Sequence, residues 1–441
     1  MKVKRTLQED ISSDPSVGGF IRSKEVASNG TRNAGQRLRD TQDVLNAAGE
    51  TKVVVFQYVD RMSKELSLVH RMQLKANPGM PQGRSGSAGP EGSVSSVKSQ
   101  CPEVFYQRLV HLPPSLSQLQ SLLSQQLLQE LESLAPPMKG KTLVSVFWLQ
   151  TANLWCPLPR PACVLLSQED LVVLSSDTHD TLAVFHHFDL ALIKEVQIGL
   201  AGQHVRLTGC TEDTVLAVFT HSKDLTQELC KALLKAAGPG SFSRGAEYPP
   251  LLSGDLMALS LDWTSSVPDI TLDNGLHFTS RFKRVLADLL HVVHGNMDGP
   301  DRPCLADICP LLYTSVKVLS PTRVHQSGVF QFLLTDTHVA LLCEDGVSRP
   351  VPRDSSLVPS QPQFQGLEVR EHSEIRCLLA TQKDSWLVVD MTFSARQPTE
   401  RGAESRRGSV GAPGPGPQCD SWKLAFGCTA EAAALIDHLC T

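Results

Sequence analysis

The sequence predicts an α+β protein with two modules of short β-strands, each closed by a C-terminal helix. The prediction depends on one order of elements that occurs twice along the chain. In the first copy, the apolar runs Ala162–Leu166 and Leu171–Leu174 flank a Ser-Gln-Glu-Asp turn, as the strands of a hairpin do. A further β-type run follows at Leu182–Phe185, and a helix is predicted from Asp224.

The second copy repeats this order. Val329–Leu334 and Val339–Cys343 flank a Thr-Asp-Thr turn, and a helix is predicted from Thr429. Many short strands closed by one helix are typical of a small β-barrel or sandwich whose open corner the helix covers. This is the pleckstrin-homology-like plan. Modules of this plan usually bind partners and seldom catalyse reactions.

Composition predicts the domain organisation. Residues 1–50 are polar, with few aromatic residues, and are expected to form a disordered tail. Residues 51–138 are expected to hold helical segments and a Gly/Ser/Pro-rich linker. The first module is predicted over 139–240, a bridging helix region over 250–303, and the second module, with long disordered loops, over 304–441.

Helical periodicity predicts four further features. Apolar residues in Lys52–Lys75 fall at helical spacing, although a run of β-branched valines weakens that assignment. A leucine stripe between Pro114 and Pro136 predicts one helix, which could either dock on the following module or pair with a partner helix. Docking is favoured because the heptads are few. Ser280 is predicted to cap the bridging helix, and Asp224 with Gln227 to form a capping box.

Charge and cysteine content exclude several protein classes. The net charge is −5 for 441 residues, so a broadly basic surface that coats nucleic acid is not expected. No run of eighteen apolar residues and no signal sequence occur, which argues against a spanning or secreted protein. The 12 cysteines are scattered without a CxxC pair, and this favours a reducing cytosol.

A phosphate-loop pattern in Ala135–Thr142 is expected to be misleading. A phosphate loop follows a strand and opens a helix, so that free backbone N–H groups and the helix dipole face the phosphates. Here the predicted order is helix, loop and strand, and two prolines remove donors. A rigid turn is therefore the favoured interpretation.

No residue set predicts a catalytic centre, a metal site or a cofactor site. Asp288, His291 and His294 are spaced by three along a helix, so the outer two diverge, and a solvated polar edge is expected. His186 and His187 alternate across a strand and should face opposite sides. No hydrolase, zinc-protease, dinucleotide or kinase motif occurs. We therefore expect a protein that is not an enzyme and that needs no cofactor.

Lipid binding through this fold needs several cations on the loop between the first two strands. That loop carries only Arg160 in the first module, while Lys317 and Arg323 are weak candidate lipid contacts in the second. Structural or protein-binding use is favoured, with peripheral membrane contact as the alternative. Ser409 follows two arginines in a Gly/Pro-rich loop and is a candidate phosphorylation site.

Several framework stretches between residues 140 and 441 resemble the C-terminal region of the nischarin (imidazoline receptor candidate) family. The stretches that carry the resemblance are Glu195–Gly209, His221–Cys230, His294–Asp298, Leu312–Val318 and Leu334–His338. The phox-homology and leucine-rich-repeat parts of that family have no counterpart in this chain.

The resemblance implies a cytosolic scaffold that binds the cytoplasmic tail of an integrin α subunit. It further implies that the scaffold restrains Rac and p21-activated-kinase signalling, and with it cell migration, and that it associates in part with endosomes. Protein partners are thus expected to be an integrin tail and Rac-pathway kinases, with no nucleic acid. No site residue of the family is assigned to a position here.

Overall fold

The computed structural model describes residues 102–122, 124–211, 214–238, 248–295, 304–319, 328–348, 362–383, 386–394 and 421–440, together with the backbone of 53–56 and 72–73. Two large sheets and several helices make this a mixed α+β fold, as predicted. Among the residues that the structure describes, none of the helices combines the length and the apolar character needed to cross a membrane.

Strands and helices are numbered in chain order. The strands are β1 Val53–Phe56, β2 Met72–Gln73, β3 Glu103–Tyr106, β4 Leu143–Asn153, β5 Arg160–Ser167, β6 Asp170–Ser176, β7 Leu182–Asp189, β8 Glu195–Ile198, β9 Val205–Thr208, β10 Val215–Phe219, β11 Ile270–Thr271, β12 His277–Thr279, β13 Pro310–Val318, β14 Val329–Thr335, β15 His338–Glu344, β16 Phe364–Glu371, β17 Ile375–Lys383, β18 Trp386–Phe393 and β19 Ser421–Phe426. The helices are α1 Pro114–Ser121, α2 Ser124–Leu134, α3 Lys223–Ala237, α4 Pro250–Ser253, α5 Leu256–Leu261, α6 Phe282–His294 and α7 Thr429–Cys440.

The chain divides into two compact units. The first unit consists of Val69–Gly254 and Val267–Ser280, and the second of Met1–Leu68, Asp255–Ser266 and Arg281–Thr441. Each unit contains one of the predicted modules. The chain leaves the first unit after Gly254, returns to it at Val267 and leaves it again after Ser280.

The first module comprises β4–β10 and α3. Within the described residues its strands follow the order β8-β9-β10-β4-β5-β6-β7, all antiparallel, and α3 packs against β4 and β5. β3 joins β4 in parallel, and β12 joins β8 in parallel. Nearly every residue of β5 and β6 is buried, which explains why these strands are continuous apolar runs without alternation.

The second module comprises β13–β19 and α7, and it repeats this order as β17-β18-β19-β13-β14-β15-β16. β1 joins β17 in parallel at the outer edge. α7 packs against β13, β18 and β19, where Ala432 and Leu435 enter the core of the second sheet. Neither sheet closes into a barrel through the strand pairings of the described residues.

The two modules share local details that strand order alone does not require. In both, the hairpin of the first two strands has an irregular register at its open end, after Leu143 in β4 and after Pro310 in β13. A hydroxyl closes the next turn in each module: Ser167 closes the β5–β6 turn and Thr335 closes the β14–β15 turn. Each module is therefore a copy of the same plan down to its hairpin turn.

The leucine stripe docks on the first module, as favoured from the sequence, but it forms two helices. Leu116 and Leu119 of α1 and Leu127 and Leu131 of α2 lie in one core cluster with the β4–β6 residues Trp148, Leu165 and Val172. The carboxylate of Asp180 fixes the start of α1, because it accepts from the Ser115 N–H at 3.0 Å and from the Ser115 hydroxyl at 2.6 Å.

Three helix predictions were wrong in detail. The helix predicted over Lys52–Lys75 is replaced at Val53–Phe56 and Met72–Gln73 by strands, and the rest of that stretch lies outside the described residues. The β-branched valines favour the extended backbone. Ser222, not Asp224, caps α3, with its hydroxyl accepting from the Leu225 N–H. Arg281, not Ser280, precedes α6, and it makes no side-chain cap.

Candidate functional site

An open strand edge on the first module is the strongest candidate surface. β7 is the last strand of its sheet, and among the described residues no strand pairs with its outer edge. Ala183, Val184 and His187 of β7 are exposed, with Val184 38% accessible. The strand contains no Lys, Arg or Pro, which are residues that commonly protect a sheet edge from further pairing. Its one irregularity is a register shift opposite Val173 and Leu174.

The loop between β4 and β5 presents large apolar side chains to solvent. Trp155 is 80% and Leu158 is 79% accessible. Hydrogen bonds nevertheless fix the backbone of the loop, because Asn153 Oδ1 accepts from the backbone N–H groups of Trp155 at 3.1 Å and Cys156 at 2.8 Å. Exposed aromatic and aliphatic side chains on a shaped loop are typical of an interaction surface.

Arg160 connects this loop to β7. Its guanidinium carbon lies 5.1 Å from the centre of the Phe185 ring, within the range of a cation–π contact. We group the apolar loop and the open edge, which this contact connects, as the β7 surface: Trp155, Leu158, Arg160, Val184 and Phe185.

A buried carboxylate stands at the opposite end of β7. Asp170 accepts hydrogen bonds from Lys141 and, at 2.7 Å, from His187 Nε2, and Glu169 lies 3.1 Å from Lys141. Burial alone would raise the pKa of Asp170, but the hydrogen bonds from Lys141 and His187 hold it below its usual value. Lys141 is the lysine of the phosphate-loop pattern. Its pairing with Asp170, in a turn that leads into a strand, agrees with the structural interpretation.

A second buried polar group lies beneath the start of α3. The Thr220 hydroxyl contacts the Thr226 hydroxyl at 2.5 Å, and the Thr226 hydroxyl donates to the Gly202 carbonyl at 2.8 Å. His221 has a φ of 49° and contacts Gln150 Oε1 at 3.0 Å. Burial, and then the neighbouring His204, lower the pKa of His221 to about 3. These side chains hydrogen-bond to one another and to the backbone. They therefore fix the connection between β10 and α3 and do not form a reactive site.

The second unit has its own buried charge, on β16. Arg370 is 1% accessible and places Nη2 2.7 Å from Glu368 Oε1 and Nη1 3.6 Å from Glu374 Oε2. Trp422 Nε1 donates to the other Glu368 oxygen at 3.0 Å, and the Arg370 guanidinium lies 5.2 Å from the Phe393 ring centre. The charges compensate within the core, which indicates a structural role.

The histidines of α6 do not form a metal site. Asp288 and His291 are exposed, whereas His294 is fully buried, so the predicted solvated polar edge was wrong for His294. Its ring meets that of His338 edge-on at 4.9 Å, and burial, followed by His338, lowers the pKa of His294 to about 4. Across the described ranges, no three His, Cys, Asp or Glu side chains are placed to hold a metal ion.

Of the residues singled out for lipid contact or phosphorylation, the structure describes Lys317. It is half-buried, and its Nζ lies 5.0 Å from the centre of the Trp386 ring. Arg323 and Ser409 lie outside the described residues. Sequence reasoning considered the loop before Arg160 only for its lack of cations and missed the exposure of Trp155 and Leu158. Two large apolar residues beside prolines, where no strand or helix is predicted, were the available signal.

No family model and no curated protein matches the chain. Two Vav1 structures, one concerning its PH and C1 domains and one an allosterically inhibited form, align at 10% and 9% identity with TM-scores of 0.22 and 0.19. They cover 28% and 22% of this chain and 36% and 27% of theirs. The yeast Nup82-Nup159-Nup116 complex aligns at 11% identity and TM-score 0.14, over 65% of this chain and 67% of that one. Scores this low support no conclusion about fold or function.

Proposed function

We propose that the chain is a non-enzymatic cytosolic adaptor with two pleckstrin-homology-like modules. The strand order common to both sheets, together with the helix after the last strand of each, supports this fold assignment. The β7 surface is the observation that carries the binding role. An adaptor needs an exposed surface that recognises a partner, and it needs no reactive centre.

The proposed occupant of the β7 surface is an extended peptide segment that adds to β7 as a further strand. The free N–H and C=O groups of β7 would supply backbone hydrogen bonds, and Trp155 and Leu158 would contact apolar side chains of the peptide. From the resemblance to the nischarin family, this segment is the cytoplasmic tail of an integrin α subunit. Restraint of Rac and p21-activated-kinase signalling, and partial association with endosomes, belong to the same proposal.

Binding of the full chain to an immobilised integrin α-tail peptide tests the proposal. Trp155→Ala should weaken binding about 30-fold, because an interface aromatic typically contributes about 2 kcal/mol. Val184→Glu should weaken it by a comparable factor. Leu192→Ala is the matched control, since Leu192 is 53% accessible in the same unit but lies outside the β7 surface. Equal binding by all three variants, or no binding by the parent chain at low salt, would contradict the proposal.

The alternative function is peripheral binding to membranes that contain anionic phosphoinositides. Exposed Trp155 and Leu158 favour it, because tryptophan is enriched at membrane interfaces. The cation content favours a protein partner, since the β4–β5 loop holds no basic residue, Arg160 follows it as the first residue of β5, and Asp177 and Asp180 lie in the β6–β7 turn. Liposome sedimentation distinguishes the two. Binding that rises with phosphoinositide content and drops on neutralising Lys317 and Arg323 would support the membrane role.

A further inference from the structure

The fifth strand of each module is β8 in the first and β17 in the second. The outer edge of each of these strands pairs with a strand from a distant part of the chain. In the first module β12 runs parallel to β8, with His277 opposite Glu195 and Thr279 opposite Gln197. In the second module β1 runs parallel to β17, with Val53 opposite Cys377 and Phe56 opposite Ala380. Parallel additions are unusual here, because the strands within each module are antiparallel.

The two added strands occupy the same register. Each fifth strand is reached through a short 3-10 turn that ends at an isoleucine, Ile193 in the first module and Ile375 in the second. Pairing begins two residues later in both, at Glu195 and at Cys377. The same edge, direction and starting position are therefore used twice, which identifies this edge as a site shaped for a short parallel strand.

The two added strands differ in how they are held. β12 belongs to a hairpin with β11, and side chains fix it further: Thr279 Oγ1 donates to Glu195 Oε1 at 2.7 Å, and Asn274 Nδ2 donates to the Ala237 carbonyl at 2.9 Å. β1 pairs over four residues with β17, and more than 300 residues of chain separate the two strands. A four-residue strand supplied from so far away is suited to exchange, because its pairing is short and its sequence connection is long.

We infer that the outer edge of β17 is a peptide-binding edge that the chain occupies with its own Val53–Phe56. The partner that fits is an extended segment of about four consecutive β-branched or aromatic residues without proline, running parallel to β17. Such a segment binds by displacing Val53–Phe56. Because the resident strand belongs to the same chain, its pairing is intramolecular, and it holds back weak competitors. This edge is independent of the β7 surface, so either proposal can fail alone.

The register provides a direct test of the resident strand in the full chain. Val53 lies opposite the native Cys377, so Val53→Cys puts two cysteines at directly paired positions of neighbouring strands. Neighbouring strands lie about 4.8 Å apart, which falls within the Cα range of a disulfide. Mild oxidation should give an intramolecular 53–377 disulfide, mapped by mass spectrometry of proteolytic fragments. Val54→Cys is the matched control, because residue 54 lies opposite Leu378, where the partner strand offers no thiol. Equal cross-linking of the two variants, or a link that joins two chains, would overturn the assignment of a self-supplied strand.

A fluorescent peptide of residues 50–59 tests exchange. Three forms of the full chain are compared: the parent, the Val54→Pro/Val55→Pro variant, whose β1 cannot pair, and the oxidised Val53→Cys form, whose β1 is locked. We expect the proline variant to bind at least tenfold more tightly than the parent, and the locked form to bind no peptide. A peptide carrying the same two prolines is the control. The same affinity in all three forms, or no binding to the proline variant, would contradict the inference. Circular dichroism checks that each form is folded.

Discussion

Ser167 and Thr335 occupy equivalent positions and make the same three hydrogen bonds. Each hydroxyl accepts from the backbone N–H three residues on, at 2.8 Å from Asp170 and 3.0 Å from His338. Each also accepts from the N–H two residues on and donates back to the carbonyl of the third residue. The side chain thus closes a turn that contains no glycine, in both modules.

Removing either hydroxyl should destabilise the unit that contains it. Thr335→Val keeps the shape of the side chain but leaves the buried His338 N–H without its acceptor, and Ser167→Ala does the same for Asp170. We expect each to cost about 1–2 kcal/mol of unfolding free energy. Denaturant unfolding measures the cost, and hydrogen exchange locates it in one unit. Ser121→Ala, at an exposed hydroxyl at the end of α1, should change little.

Gly199 should not tolerate a side chain. An added Cβ would overlap the ring of His204, which covers this glycine, so Gly199→Ala should cost more than about 2 kcal/mol. His204→Ala in the same chain should restore much of the loss if the overlap is the cause. Gly328→Ala is the control, because its Cβ would meet Phe330 at an ordinary 3.5 Å. Additive costs in the double variant would contradict this explanation.

Asp170 should matter more to stability than the lysine it pairs with. Its side chain is 7% accessible and receives two side-chain hydrogen bonds, whereas Lys141 is 32% accessible. We expect Asp170→Ala to cost about 1–3 kcal/mol of unfolding free energy and Lys141→Ala to cost less, because water screens the exposed lysine. Because the folded pKa of Asp170 lies below its usual value, its contribution is present at neutral pH and is lost as the pH falls through that folded pKa. Thermal unfolding of both variants at neutral pH shows which substitution lowers stability more.

His294 should make the second unit sensitive to acid. Its folded pKa of about 4 lies below the ordinary 6.5, so the unfolded chain binds the proton more readily between these values. Stability therefore falls as the pH drops from about 6.5 towards 4, by on the order of 1–2 kcal/mol at pH 5.

His294→Leu removes this proton uptake and should flatten the pH dependence in urea unfolding of the second unit. His291→Leu is the matched control, because His291 lies exposed on the same helix. If the unfolding free energy changes by the same amount between pH 7 and pH 5 in the parent chain and in the His294→Leu variant, His294 is not the source of the acid sensitivity.

Elements with a strong local signal were predictable. The hairpins around Ser167 and Thr335 followed from apolar runs and turn residues, and α7 begins at Thr429 as expected. Docking of the leucine stripe followed from its few heptads. The cap at Ser222 was missed because Asp224 and Gln227 offered an equally good local pattern, and the choice is made by the end of β10 at Phe219.

Features that depend on distant contacts could not be read from the sequence. β1 and β12 are four and three residues long, and the sequence does not reveal their parallel pairing with the distant strands β17 and β8. The burial of His294 depends on packing against the β14–β15 turn, which periodicity along α6 does not reveal. For the β7 surface, the run of β7 was visible, but its position at the end of the sheet was not.

The parallel strands β1 and β12 also constrain how the protein can be made. A ribosome releases Val53–Phe56 first, and at about 5–20 residues per second the partner Cys377 follows roughly 16–65 s later. For that interval the segment has no sheet to join, and β8 likewise waits for residues beyond 276. Expression trials that begin at the first apolar run of the second module would omit β1 altogether and leave the β17 edge bare.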